Sequence, residues 1–382
     1  MALNDGLPAL PELSFIRRSY TEKYRKNNGN ENQQQDEGSI YRTELIFKHI
    51  NRKWHVKVTL TLKSMIQLPE INAKWLQRKK DFEDLCRCIN FSGIPLLEDT
   101  VTELILSNDL CDPELHLLPQ SIRFRIQEDP ERIRFPLYDG GGIPTIDWSA
   151  IQKGQEFAAG VHKVYIKERN QHCVYKEVDR PLYEPHDTEV LQQELRNLVL
   201  LRNTKGIVQI LAVVISANPY QTDERKDSEV LRGILLEYHP YGTLQDLLRS
   251  KSETSYPWRR WAVQVATALN LLHRHQLSHL DLKPANIVVS IKWDALLIDI
   301  SGLAVTQEWL SPEMAHVFAP WEQDIGSRIQ NDVSAFGKLL SRMADATGNH
   351  QEAQLLKHVA SLATAEVPIR ISLLDAISML QN

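Results

Sequence analysis

The chain has 382 residues, of which 42% are hydrophobic and 24% charged, with a formal net charge of −5 and a pI near 6.2. That is globular composition with room for two or three cores, and it lacks the basic footprint of a nucleic-acid binder. Four cysteines (Cys86, Cys88, Cys111, Cys173) in so long a chain argue against a disulfide framework and for a reducing, intracellular compartment, cytoplasm or nucleus.

In chain order, residues 1–39 read as a flexible arm and linker. "MALNDGLPALPELSF" has no basic stretch ahead of an apolar core, so no signal peptide is expected. Arg17, Arg18, Lys23, Arg25 and Lys26 read as a solvated basic tail, and "NNGNENQQQDEGS" (27–39) has no face to bury. Residues 40–145 read as a small α+β module. "HVKVTLTL" alternates, which predicts a strand with Val56, Val58, Leu60 and Leu62 on one face. Pro69–Phe91 predicts a helix with Ile71, Trp75, Phe82, Leu85, Cys86 and Ile89 on its buried stripe, stopped at Gly93. "SIRFRIQEDPERIRF" predicts a hairpin turning at Asp129-Pro130, with Ile122, Phe124 and Ile126 inward. The lone Cys86-x-Cys88 lacks a second ligand pair and is not read as a metal site. "DGGGIP" (139–144) reads as the boundary of the module, whose expected role is to recruit a protein partner or to press on the rest. A strand-rich stretch (146–238) with one long helix follows, then a mainly helical one (239–382). No apolar run approaches the roughly 20 residues of a membrane span, so no membrane partner is expected.

The chemistry concentrates in "HLDLKPAN" (279–286) and in Asp299, thirteen residues after Asn286. Phosphoryl transfer needs phosphates held, metal ions between them, and a carboxylate to orient the incoming hydroxyl. Asp281 can accept a hydrogen bond from that hydroxyl, Lys283 can stand beside the phosphate, and Asn286 and Asp299 can supply oxygen to the metal.

"HLDLKPANIVV" followed by "LLIDISGLA" resembles the catalytic and metal-binding loops of protein kinases. The resemblance covers roughly residues 150–382. It implies a two-lobed fold, an antiparallel-sheet lobe followed by a mainly helical lobe, that binds ATP and magnesium. Lys176 in "CVYKEV" would be the nucleotide lysine and Glu194 its partner on a mobile helix, with Leu198 and Leu201 packed inward. Glu237 and His239 would offer backbone groups to adenine, with Leu236 behind. "SPEM" and "NDVSAFG" resemble the end of the activation segment and the buried helix after it, and Arg370 would pair with Glu313. His279 and His273 would be structural.

Three departures stand out. Of the glycine-rich loop, "EFAAGVHKVY" keeps Gly160 alone. Asp299 is followed by Ile300-Ser301 rather than Phe-Gly, and Gly302 comes one place late. Leu280 stands where relatives carry an arginine that binds a phosphorylated activation segment, so a phosphate at Thr306 would lack its partner and none should be required. The implied function is phosphoryl transfer to serine and threonine hydroxyls of a protein substrate that the sequence does not identify. The alternatives are a pseudokinase serving as nucleotide-binding or scaffold protein, and a small-molecule phosphotransferase.

Overall fold

The computed structural model describes residues 11–23, 39–62, 75–107, 114–117, 120–167, 170–223, 225, 228–250 and 256–382. The chain divides into two compact units, Met1–Arg132 with Ala217–Val230, and Ile133–Ser216 with Leu231–Asn382.

In the first unit, strands β1 (Glu12–Phe15), β2 (Thr21–Lys23), β3 (Ser39–His49) and β4 (Arg52–Leu62) precede helix α1 (Trp75–Arg87), and β5 (Val101–Ser107), β6 (Glu114–Leu117) and β7 (Gln120–Glu128) follow it. The sheet order is β1-β3-β4-β5-β7-β6, with β2 also paired to β3. β4 and β5 run parallel, which requires a crossover, and α1 lies in that connection. The period of two in β4 puts Val56, Val58 and Leu60 in the core with Phe82 and Cys86 of α1. The alternate residues are polar but also sheltered: Lys57 donates to Asp129 (3.0 Å) and Glu131 (2.6 Å), and Thr59 donates to Glu103 (2.7 Å). Such burial requires these partners. Residues 217–230 complete this unit. Lys53 N donates to Thr222 O (3.0 Å), and Asp99 and Thr222 exchange backbone-to-side-chain hydrogen bonds at 2.9 and 3.0 Å.

Several expectations are corrected here. Residues 11–23 are not a flexible arm: β1 and β2 pair with β3, and Tyr20 is in the core. Arg25, Lys26, residues 27–38, Pro69–Lys74 and Cys111 lie outside the described residues. α1 ends at Arg87, short of Phe91, which enters the core from a separate 3-10 turn. Trp75, expected on the buried stripe, is about half exposed (46%) and meets Tyr20 edge-on. The hairpin at Asp129-Pro130 does not form. β7 pairs instead with β5 and β6, and after Arg132 the chain leaves the sheet because Ile133 and Phe135 pack into the second unit's core. The boundary therefore falls at 132/133 rather than at 139–144.

The second unit opens with β8 (Thr145–Asp147), β9 (Lys153–Ala158), β10 (Val161–Ile166), β11 (Gln171–Glu177), helix α2 (Pro185–Leu200), β12 (Ile210–Ala217) and β13 (Glu229–Glu237). These strands form a sheet of order β8-β12-β13-β11-β10-β9. α2 starts at Pro185 with a reciprocal capping box between Glu184 and Asp187. A helical lobe follows: α3 (Leu244–Arg249), α4 (Trp258–Arg274), the ribbon β14 (Ile287–Val289) and β15 (Ala295–Leu297), then α5 (Ile325–Ala346), α6 (His350–Ala363) and α7 (Leu373–Gln381). Trp261, Val265, Leu269 and Leu272 of α4 recur at helical spacing and pack with Phe336, Leu339 and Leu340 of α5 in one core. The two lobes are the expected mixed α+β arrangement. Among the described residues, no helix is long and apolar enough to cross a membrane.

Candidate active site

The ribbon β14–β15 fixes the geometry. Ile287 pairs with Leu297, so the residues just outside, Asn286 and Ile298, are opposite each other, and Ile298 N donates to Asn286 O at 3.0 Å. Asp299 is the next residue, which brings the two proposed magnesium ligands to one end of the ribbon. His279 reaches the same place, its Nε2 3.0 Å from Ile298 O.

Asp281 is 4% exposed. Its Oδ2 accepts from Lys283 Nζ (2.7 Å) and Asn286 Nδ2 (3.0 Å), while its Oδ1 is buried with no protein partner. Buried polar atoms are ordinarily satisfied, so this oxygen is suited to a substrate hydroxyl. Asn286 Nδ2 also donates to Asp281 O at 2.8 Å. With its nitrogen committed, the amide presents its oxygen as the remaining polar face. Among the described residues, no three His, Cys, Asp or Glu side chains gather as a metal cage. The donor set instead fits magnesium held by one amide and one carboxylate, with nucleotide phosphates supplying further oxygens.

Lys176 on β11 grips Glu194 of α2 through both carboxylate oxygens (2.8 and 2.7 Å) and also bonds Asp299. Burial works to lower the lysine's pKa, but the charges of Asp299 and Glu194 more than offset this and hold it raised. Glu194 is pushed up by burial despite Lys176. Burial acts upward on Asp299 too, but Lys176, with help from His279 and Lys283, holds its pKa below the ordinary carboxylate value. Asp299 keeps 35% of its side chain exposed against 3% for Glu194, which leaves it the more accessible carboxylate.

β13 delivers Leu236, which is buried, and then Glu237 and His239. Glu237 N donates to Gln209 O (3.1 Å), and His239 O accepts from Gly242 N (3.2 Å). Beside them Phe157 of β9 stacks on Tyr238 (centroids 6.2 Å, planes 4° apart), and the Lys163 ammonium lies 4.3 Å from the Tyr238 ring centroid. Gly160 sits in the β9–β10 turn at φ +73°, where a Cβ would lie 2.5 Å from Arg180 Cβ. Turn geometry and that packing require glycine here. Gly154, which the sequence reading passes over, lies so close to β10 that a Cβ would fall 2.8 Å from Lys163 O. Gly302 has φ +68°, and a Cβ there would meet Ser278 O at 2.6 Å, which is why the glycine falls one position late.

Three residues to which the sequence analysis gives no part in the site's geometry lie within it. Thr306 Oγ1 accepts from Lys283 Nζ at 2.6 Å, beside Asp281. Asp332 of α5, fully buried, accepts from His279 N and Leu280 N (2.7 Å each) and lies 3.0 Å from His273 Nε2. Asn197 of α2 donates to Ile300 O at 2.7 Å. The expected pair does form, with Arg370 Nη2 donating to Glu313 Oε1 at 2.8 Å. Leu198 and Leu201 are both buried.

A family profile described as Protein kinase domain matches residues 153–329. A "Serine/threonine-protein kinase-like protein" of Arabidopsis thaliana is 36% identical over 75 residues, 19% of this chain and 22% of that protein. "Mitogen-activated protein kinase kinase kinase 17" of Arabidopsis thaliana is 26% identical over 145 residues, 35% and 37% of the two chains. "Mitogen-activated protein kinase kinase kinase dlk-1" of Caenorhabditis briggsae is 26% identical over 172 residues, 41% and 17%. The matches thus span between 17% and 37% of the length of these relatives.

Proposed function

Because this chain belongs to the protein kinase superfamily, we propose that it catalyses ATP- and magnesium-dependent phosphoryl transfer to serine and threonine hydroxyls of protein substrates. The observation that carries the reading is the Asp281 carboxylate, with one oxygen held by Lys283 and Asn286 and the other buried without a hydrogen-bond partner. In this reading Asp281 Oδ1 accepts the hydroxyl proton, and Lys283, fixed between Asp281 and Thr306, places positive charge where the phosphoryl group passes. Lys176, anchored by Glu194, orients the nucleotide phosphates. Magnesium, held by Asn286 and Asp299, would neutralise phosphate charge.

We extend the proposal to regulation: no phosphate on the activation segment is needed. Leu280 is buried in an apolar cluster with Leu310 and Met314, against which Val305, Val317 and Trp321 pack. The contact that relatives make with arginine and phosphate is made here by hydrocarbon.

The test is radiolabel transfer from ATP to protein substrates. The wild type should transfer without prior phosphorylation and Asp281→Asn should not. Magnesium-dependent ATP binding should vanish in Asp299→Ala. A second reading, a nucleotide-binding scaffold, is favoured by the loop that lacks most of its glycines and by the direct Lys176–Asp299 pair. Folded chain that binds nucleotide yet phosphorylates no protein would select it.

A further inference from the structure

Helix α2 meets the metal-binding loop at a second point besides Glu194. Asn197 lies three residues on, on the same helix face, and is 3% exposed. Its Nδ2 donates to Ile300 O at 2.7 Å and lies 3.3 Å from Ser301 O. Its Oδ1 accepts from Gln193 Nε2 at 2.9 Å, and Gln193 Oε1 in turn accepts from Arg196 Nη1 at 3.3 Å. This chain fixes which way the amide points: oxygen to Gln193, nitrogen to the loop.

The loop needs such a hold. Asp299 sits at φ +59°, a region that non-glycine residues rarely occupy unless their surroundings enforce it. Ile300, with its side chain fully buried, secures the loop by hydrocarbon, but the carbonyls of 300 and 301 turn toward α2 and require a donor there. These are the two positions where the sequence departs from Phe-Gly.

We infer that Asn197 is a positioning residue that fastens the Asp299–Gly302 loop to helix α2, so that the helix sets the loop's path as well as the Lys176 ammonium. What the loop does for a nucleotide rests on the kinase reading, but the fastening itself does not.

The test is hydrogen exchange, without nucleotide, on the full chain as wild type, Asn197→Leu and Asn197→Asp. Leucine keeps the size and removes the donor. Aspartate sets an oxygen against two carbonyl oxygens. Loss of a hydrogen bond of this kind is expected to speed amide exchange across 298–305 by about tenfold in the leucine variant and more in the aspartate variant, with α4 and α5 unchanged. The magnesium concentration for half-maximal ATP binding should rise alongside. Exchange at 298–305 unchanged in both variants would overturn the inference. So would a rise spread evenly over α4 and α5, which would make Asn197 an ordinary core residue. If the exchange result holds while the wild type neither binds ATP with magnesium nor transfers phosphate, the kinase reading fails and the fastening stands.

Discussion

Asp332 shows how much one buried side chain can organise. Its two oxygens hold the backbone N–H groups of His279 and Leu280, the latter at φ +64°, two residues ahead of Asp281's neighbour Leu282. Asp332→Ala strips two buried donors at once. It is expected to cost about 3 kcal/mol or more in denaturant melts and to lower transfer further still, because the catalytic loop loses its shape. Thr306 yields a prediction with an unusual sign. With its hydroxyl beside Lys283 and Asp281, Thr306→Glu places like charge next to the proton acceptor. Transfer should fall more than about a hundredfold, the scale of a lost general base, where a phosphate-activated segment would respond with a gain. Burial holds the His239 imidazole below its usual pKa of 6.5. Above pH 6.5 it is neutral both folded and unfolded. As pH falls below 6.5 the unfolded chain takes up the proton first, so stability declines until the folded pKa is passed. Thermal melts between pH 8 and 5.5 should show this decline, and His239→Gln should reduce it, leaving the share of His55, which burial also holds below 6.5. The sequence made Asp281, Lys283 and Asn286 legible because they stand within six residues. Asn197, Thr306 and Asp332 act through partners 103, 23 and 53 positions away, and no local pattern marks such contacts.

At the scale of elements, the segment from Val305 to Trp321 is fastened by packing. Leu280, Leu310 and Met314 form its buried contact, and Trp321 extends it to His186 at the first turn of α2, ring centroids 5.4 Å apart. Leu280→Ala should cost about 2–5 kcal/mol in denaturant melts, the usual range for a cavity of that kind. Leu280→Arg should behave worse, since it sets an unpaired charge in hydrocarbon. The strand β4 was readable because its apolar residues alternate with polar ones, and the helix bearing Glu194 because the segment resembles its counterpart in protein kinases. The hairpin at Asp129-Pro130 misled because alternation continues through Ile133 and Phe135, whose apolar partners belong to a different core. β1 and β2 hid behind Arg17, Arg18 and Lys23, charges that suggested solvent although Tyr20 between them is buried.

At the scale of the whole molecule, the chain passes between its units at 132/133, 216/217 and 230/231. The segment between β12 and β13 is part of the first unit's fold, with Gln221 and Thr222 buried there. Removing residues 1–132 should therefore leave a protein that melts lower and aggregates. Replacing 217–230 in the same truncation with a two-residue Asn-Gly turn should recover solubility, as judged by size-exclusion profile and melting point. The boundary was illegible because "DGGGIP" marks flexible backbone, whereas membership of a unit is decided by contacts such as Asp99 with Thr222, 123 positions apart.

This threading constrains how such a protein could change by recombination. A crossover at codon 132 that exchanged the first unit for an unrelated one would strand a foreign patch in the middle of the remaining gene. The two halves have to be inherited together, and a viable hybrid needs a second, matched exchange between codons 217 and 230.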